Sequence, residues 1–236
     1  MSEHARPPED SRRRVILSDK PLSSTAKKVL RPSGPQDDTR RTVLLDRDGT
    51  INVEKNYLTD PAQLELLPGA TEGLRSLQAA GCVLVVVTNQ SAVGRGYMGI
   101  ERLDEINSCF TALLAAEGVR LDGIYACPHA PWDGCGCRKP LPGLVKRAES
   151  GLGFQAASAI IIGDNHSDIE LGRNVRAKTI LVRTGHGREV EAQGTASPDF
   201  IADDLREAAD LVLSGITQGV PSPSTPHAVP DRAQPS

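Results

Sequence analysis

Two aspartates, Asp46 and Asp48, stand two residues apart in "VLLDRDGTIN" (43–52), directly after an apolar run. Side chains at i and i+2 of an extended segment emerge on the same side. A strand ending in an Asx turn would account for the pair without any function. The chemical reading is a catalytic pair. One carboxylate can attack phosphorus and carry the phosphoryl group as an aspartyl-phosphate. The other can protonate the departing oxygen and later take a proton from water. An anion attacking an anion needs a cation nearby, and Mg2+ suits carboxylate oxygens with retained waters. Gly49 lets the chain swing away and leaves backbone N–H groups for phosphate oxygens.

Three further clusters bear on this chemistry. Thr88, Asn89, Gln90 and Ser91 close the apolar run "VLVVV". They either cap the next helix or offer a hydroxyl and N–H groups to phosphoryl oxygens. Arg138 and Lys139 in "CRKP" are either a surface pair or phosphate ligands. In the second case lysine acts as a point charge and arginine as a two-pronged clamp. In "IIIGDNHSD", Asp164 is an N-cap or, with Asp46 opposite, the second carboxylate for Mg2+; Asp168 orients a neighbour or caps a helix.

Cys127, His129, Cys135 and Cys137 form a separate set, C-x-H-x5-C-x-C. Three thiolates and an imidazole suit Zn2+, and a filled Cys3His shell leaves no open position for substrate. The expected Zn2+ is therefore structural, fastening a loop with too few apolar residues to fold unaided. A disulfide and coincidence are the alternatives; a reducing compartment disfavours the first, and the clustering of three of the five cysteines the second. Cys82 and Cys109 are expected to be small core residues. Trp132, inside the loop, covers the metal, meets substrate or packs.

These residues need a scaffold to bring them together. The 236-residue chain carries a net charge of −3 and 3% aromatics, so its core must rest on Leu, Val, Ile and Ala. The charge gives no hint of nucleic-acid binding. No apolar run approaches the ~18 residues of a membrane span, and "MSEHARPPED" lacks the apolar stretch of a secretory signal. The expectation is a cytoplasmic, monomeric protein without membrane contact. Residues 1–41 read as a disordered, mildly basic extension, 42–216 as the folded domain and 217–236 as a Pro-rich disordered tail. Within the domain, short apolar runs alternate with helical spacing. Over 99–117 the inner stripe is expected to be Ile106, Phe110, Leu113 and Leu114. This order predicts an α/β fold: a Rossmann-like open parallel sheet with helices on both faces. The polar clusters fall at the carboxyl ends of the strands, where such sheets bind ligands.

The segments "LLDRDGTIN", "VVVTNQS", "CPHAPWDGCGCRKPLPG" and "IIIGDNHSD", in this order, resemble the haloacid dehalogenase superfamily of phosphatases. The nearest likeness is to the branch holding the heptose bisphosphate and histidinol phosphatases, over residues 42–216. The resemblance implies a nucleophile at Asp46 and a general acid/base at Asp48. It implies that Thr88 and Lys139 steady the phosphoryl group, and that Asp46, Asp164 and the Asp48 carbonyl hold Mg2+. With a minimal cap, the walls are a flap (51–61) and the zinc loop. Glu54, Lys55, Asn56 and Tyr57 of the flap, together with Asn89, Gln90, Ser91, Arg138 and Asn165, are the implied substrate-binding residues. "VRTGHG" (182–187) falls near the same rim. Asn165 departs from the branch, which carries a basic residue there. The implied substrate is a small phosphorylated sugar. The implied reaction removes the C7 phosphate of D-glycero-D-manno-heptose 1,7-bisphosphate, on the route to a nucleotide-activated heptose. A phosphatase for histidinol phosphate or another small metabolite is the alternative.

Overall fold

The computed structural model describes residues 40–215; the expected tail and all but the last two residues of the expected extension lie outside this range. The first strand, β1 (Thr42–Leu45), is buried along its whole length. It is followed by α1 (Ala70–Ala79), β2 (Val83–Asn89), α2 (Ile100–Ala116) and β3 (Gly123–Cys127). The chain then returns through α3 (Gly143–Leu152), β4 (Ile160–Gly163), α4 (His166–Val175) and β5 (Lys178–Val182). It ends with α5 (Gly187–Gln193), β6 (Phe200–Ala202) and α6 (Leu205–Leu213). The six strands are ordered β3-β2-β1-β4-β5-β6, and every pairing is parallel. The chain winds outward from β1 to β3, then crosses back to β4 on the other side of β1. That reversal opens a crevice beyond the carboxyl ends of β1 and β4.

Period-2 alternation splits the strand residues between two apolar layers. Val43, Leu45, Leu84, Val86, Ile160, Ile162, Ile180 and Val182 pack with α1, α2 and α6. Leu44, Val83, Val85, Val87 and Ile161 pack with α3 and α4 on the opposite side. A sheet covered on both faces explains why the strands read as unbroken apolar runs.

Several expectations needed correction at the level of elements. Leu113 is 39% exposed, and Leu103 takes its place on the buried stripe of α2 beside Ile106, Phe110 and Leu114. The stripe follows the i, i+3, i+4 rows, and position 113 falls just off it. Cys109 is likewise exposed on α2, whereas Cys82 is buried as expected. Helix α5 was not foreseen, because "GREVEAQ" offers Val190 as its one large buried apolar residue. Arg40 and Arg41 already belong to the fold: Arg41 pairs with Val83 through its carbonyl, and its guanidinium donates to the Val212 carbonyl at 2.6 Å. No described helix is long and apolar enough to cross a membrane.

The orientation of α2 is tested by truncation. Phe110→Ala should cost about 3–5 kcal/mol, while Leu113→Ala should cost no more than about 0.5 kcal/mol, both read from chemical denaturation. Equal costs would mean that the helix is rotated from the position described.

Candidate active site

Asp46 leaves the tip of β1, and its N–H donates to the Ile162 carbonyl of β4 at 2.9 Å. This bond ties the residue to both sides of the crevice. Its Oδ1 accepts the Arg47 N–H at 2.7 Å and faces the Lys139 ammonium at 2.8 Å. Lys139 is 4% exposed and also reaches Asp168 Oδ1 at 2.6 Å. Burial opposes its charge, but the Asp168 and Asp46 carboxylates outweigh burial and push the ammonium well above the usual lysine range. The Lys139 backbone is gripped from both ends by Asn89, which accepts its N–H at 2.9 Å and donates to its carbonyl at 3.2 Å.

Asp164 ends β4 and is 1% exposed. Its Oδ2 accepts the His186 N–H at 2.8 Å. Gly49 (φ 78°) and Gly185 (φ 52°) press against it, and a Cβ at either position would collide with its carboxylate. The close approach, as much as the positive φ, therefore requires glycine at both places. Oxygen atoms of Asp46, Asp164 and Asp168 all lie within 4.8 Å of one another. Burial first, then the Asp46 and Asp168 charges, push the Asp164 carboxyl well above its usual range. Ionised together, three carboxylates would exceed one lysine by two negative charges in a buried place, and the raised Asp164 and Asp168 carboxyls register that repulsion. A divalent cation with oxygen ligands fits that deficit.

Asp48 lies outside this cluster. Its carboxylate accepts from Arg47 Nη2 at 2.9 Å, Asn52 Nδ2 at 2.8 Å and Gln90 Nε2 at 2.6 Å. Burial works against its charge, but Arg47, Asn52 and Gln90 hold the carboxyl below its usual range. Arg47 is fully buried and is braced by Asn107 Oδ1 of α2 at 3.0 Å. Gln90 also donates to Thr88 Oγ1 at 3.0 Å, so Thr88 and Asp48 share one amide. Arg47, Asn52 and Asn107 were not anticipated, whereas His186, which lines the cavity, belongs to the "VRTGHG" segment expected near the rim. An arginine between two aspartates reads in sequence as solvated charge, and only the tertiary fold turns it inward.

A cavity of about 300 Å³ opens over these groups. Its walls include Asp46, Asp48, Thr88, Lys139 and Asp164. Glu54, Asn56, Tyr57, Asn89, Gln90, Ser91, Arg138 and Asn165 also line it. Lys55 does not: it points away and pairs with Glu65 at 3.0 Å. Its neighbour Glu54 faces the cavity instead. Burial, then the Asp48 charge, raises the Glu54 carboxyl. Arg138 Nη1 is buried without a hydrogen-bond partner among the described residues. The amide at Asn165 has a local reason. It is the N-cap of α4, its side chain accepting the Ser167 N–H while Asp168 accepts the Asn165 N–H. Lysine or arginine cannot accept that bond. Asp168 therefore both caps and orients, as foreseen.

Cys127, His129, Cys135 and Cys137 converge beside the cavity. Their donor atoms are separated by 3.6 Å (Cys127–His129), 3.7 Å (Cys127–Cys135), 3.2 Å (His129–Cys137), 3.2 Å (Cys127–Cys137) and 3.6 Å (Cys135–Cys137). Donors ~2.0–2.3 Å from a tetrahedral ion stand roughly 3.3–3.8 Å apart. A disulfide requires about 2.05 Å, so the sulfurs form an open donor set and no bond.

The HAD-hydrolase-like family model matches residues 136–208. Over 175 residues the chain is 38% identical to D-glycero-beta-D-manno-heptose-1,7-bisphosphate 7-phosphatase of Yersinia pestis, covering 70% of this chain and 91% of that one. The enzyme of the same name from Vibrio cholerae is 36% identical over 179 residues, covering 72% and 95%. The crystal structure of D,D-heptose 1,7-bisphosphate phosphatase from B. bronchiseptica, complexed with magnesium and phosphate, superposes with a TM-score of 0.70 at 32% identity. It covers 74% of this chain and 98% of that one. With its strand-tip aspartates, buried lysine and parallel sheet, the chain belongs to the haloacid dehalogenase-like hydrolases, in the branch of these heptose bisphosphate phosphatases.

Proposed function

We propose that the protein is a Mg2+-dependent phosphatase that removes the C7 phosphate of D-glycero-D-manno-heptose 1,7-bisphosphate through an aspartyl-phosphate on Asp46. The observation that carries this reading is the group of Asp46, Asp164 and Asp168 around Lys139, of which Asp46, Asp164 and Lys139 line the cavity. Asp46 and Asp164 would hold Mg2+, with the Asp48 carbonyl; when bound, the ion offsets repulsion between carboxylate and phosphate. Lys139 and Arg47 N–H both engage Asp46 Oδ1, which leaves Oδ2 for attack on phosphorus.

In the first half-reaction the Asp46 oxygen bonds to phosphorus, and the bond from phosphorus to the C7 oxygen breaks. The leaving oxygen takes its proton from Asp48. In the second, water attacks the phosphoryl group, Asp48 takes the water proton, and the Asp46 carboxylate is released. Arg47 suits Asp48 to the second half by holding it charged; the incoming phosphate, itself an anion, favours the protonated form needed in the first. Thr88 and Lys139 would bind the phosphoryl oxygens, and Arg138, with its unpartnered nitrogen, the far end of the substrate. Cys127, His129, Cys135 and Cys137 would hold a structural Zn2+. Their thiols stay reduced in the cytoplasm, where we place the enzyme.

Steady-state kinetics with both heptose bisphosphate anomers, fructose 1,6-bisphosphate and histidinol phosphate test the substrate. A preference of ~100-fold or more in kcat/KM for a heptose bisphosphate is expected. Glu54 in the wall would suit a cationic amine, so an equal preference for histidinol phosphate would displace the heptose reading. Asp46→Asn should lower phosphate release by about four orders of magnitude or more while leaving the thermal transition in place. Unchanged turnover would remove the aspartyl-phosphate mechanism. Elemental analysis should find about one zinc per chain, lost in Cys137→Ser together with several degrees of Tm; metal-free protein of undiminished stability would contradict the zinc assignment.

A further inference from the structure

Aromatic residues are scarce in this chain, with one Trp, three Tyr and three Phe. Yet Trp132, Tyr57 and Tyr97 are all solvent-exposed, and they gather around one arginine. The Arg95 guanidinium carbon lies 4.8 Å from the centre of the Trp132 ring and 5.4 Å from that of Tyr57. Tyr97 meets Tyr57 edge-on at 5.0 Å. The buried Nε of Arg95 has no hydrogen-bond partner among the described residues, so the ring faces are what hold this charge.

The three contributors come from three different segments. Trp132 lies in the Cys/His loop, between His129 and Cys135. Arg95 belongs to the turn after Ser91. Tyr57 belongs to the flap and lines the cavity, which Trp132 and Arg95 do not. The turn rests directly on the Cys/His loop: the Gly94 N–H donates to the Pro128 carbonyl at 2.8 Å, and a Cβ on Gly94 would overlap the backbone at His129 and Ala130. On the other side, the flap is backbone-strained beside the contact, with Asn56 at φ 61°.

We propose that Arg95 is a positioning residue that fixes the flap onto the Cys/His loop through Trp132 and Tyr57. It thereby sets affinity for the sugar end of the substrate and leaves phosphoryl transfer alone. This rests on the heptose bisphosphate reading given above. Its consequence is that order in the Cys/His loop passes to the substrate wall through the arginine between the rings.

Kinetics of Arg95→Gln, Arg95→Lys and Trp132→Leu with heptose bisphosphate and with 4-nitrophenyl phosphate test the proposal. For the heptose, Arg95→Gln and Trp132→Leu should raise KM about 10-fold, a change worth about 1.4 kcal/mol, with kcat within about twofold. Arg95→Lys, which keeps a cation over the rings, should recover part of the loss. The small aryl ester, which lacks the sugar, should be hydrolysed with unchanged kcat/KM. An unchanged KM in both variants, or an equal fall in kcat on both substrates, would overturn the proposal.

Should the wild-type protein cleave the aryl ester but not the heptose, the substrate reading falls and the link is judged on fluorescence. Trp132 is the sole tryptophan, so emission excited beyond the absorption of tyrosine reports this cluster alone. Tyr57→Leu should alter acrylamide quenching of Trp132 when Arg95 is present and leave it unchanged in an Arg95→Gln background. Quenching that ignores Tyr57 in both backgrounds would refute the coupling.

Discussion

The crowding of three carboxylates around one ammonium, buried where β1 and β4 end, is the constraint on which the site depends. Asp46, Asp164 and Asp168 face one ammonium, that of Lys139. A buried charge without a partner costs several kcal/mol, so the surrounding residues are devoted to bearing it. The Asp46 carboxylate takes the Arg47 N–H, Asp164 takes the His186 N–H, and Asp168 takes the Asn165 N–H. Gly49 and Gly185 close the space around Asp164 so tightly that its carboxylate has little room to turn away. The remaining deficit is what a divalent cation would meet, and it places that cation next to the Asp46 oxygen.

The second aspartate is handled in the opposite manner. Asp48 is held by a buried arginine and two side-chain amides, so its charge is satisfied by the protein alone. Two carboxylates two residues apart thus receive different environments, one left for a cation and one neutralised from within. That division would suit the duties proposed for them, a nucleophile at Asp46 and a proton carrier at Asp48. Gln90 links the second environment to Thr88, so a phosphoryl group arriving at the hydroxyl would be felt at Asp48 through a single amide.

Much of this was legible in the residues. The apolar runs gave the parallel sheet because strands covered on both faces need no alternation, and the polar ends of those runs gave the rim. The cysteine spacing gave the convergent donor set, since three thiols and an imidazole within so few residues have few other uses. What stayed hidden depends on contacts distant in sequence. Arg47 is braced by Asn107, sixty positions away, and local sequence does not reveal such a partner. Asn165 reads as a missing positive charge until α4 is seen to begin on it. Glu54 faces the cavity while Lys55 pairs with Glu65, and an irregular flap gives no periodicity from which to tell them apart. Leu113 and Cys109 show the same limit on α2, where a rotation by one position moves a side chain from core to solvent.

Calorimetric titration of Mg2+ into the wild-type protein and into Asp164→Asn tests the charge argument most directly. Binding of one ion per chain to the wild type, weakened at least about tenfold by removing one of the three carboxylate charges, is the expected result. Equal Mg2+ affinity in the two proteins, or no binding to either, would contradict the account, because the excess charge at the strand tips would then have some other counterpart.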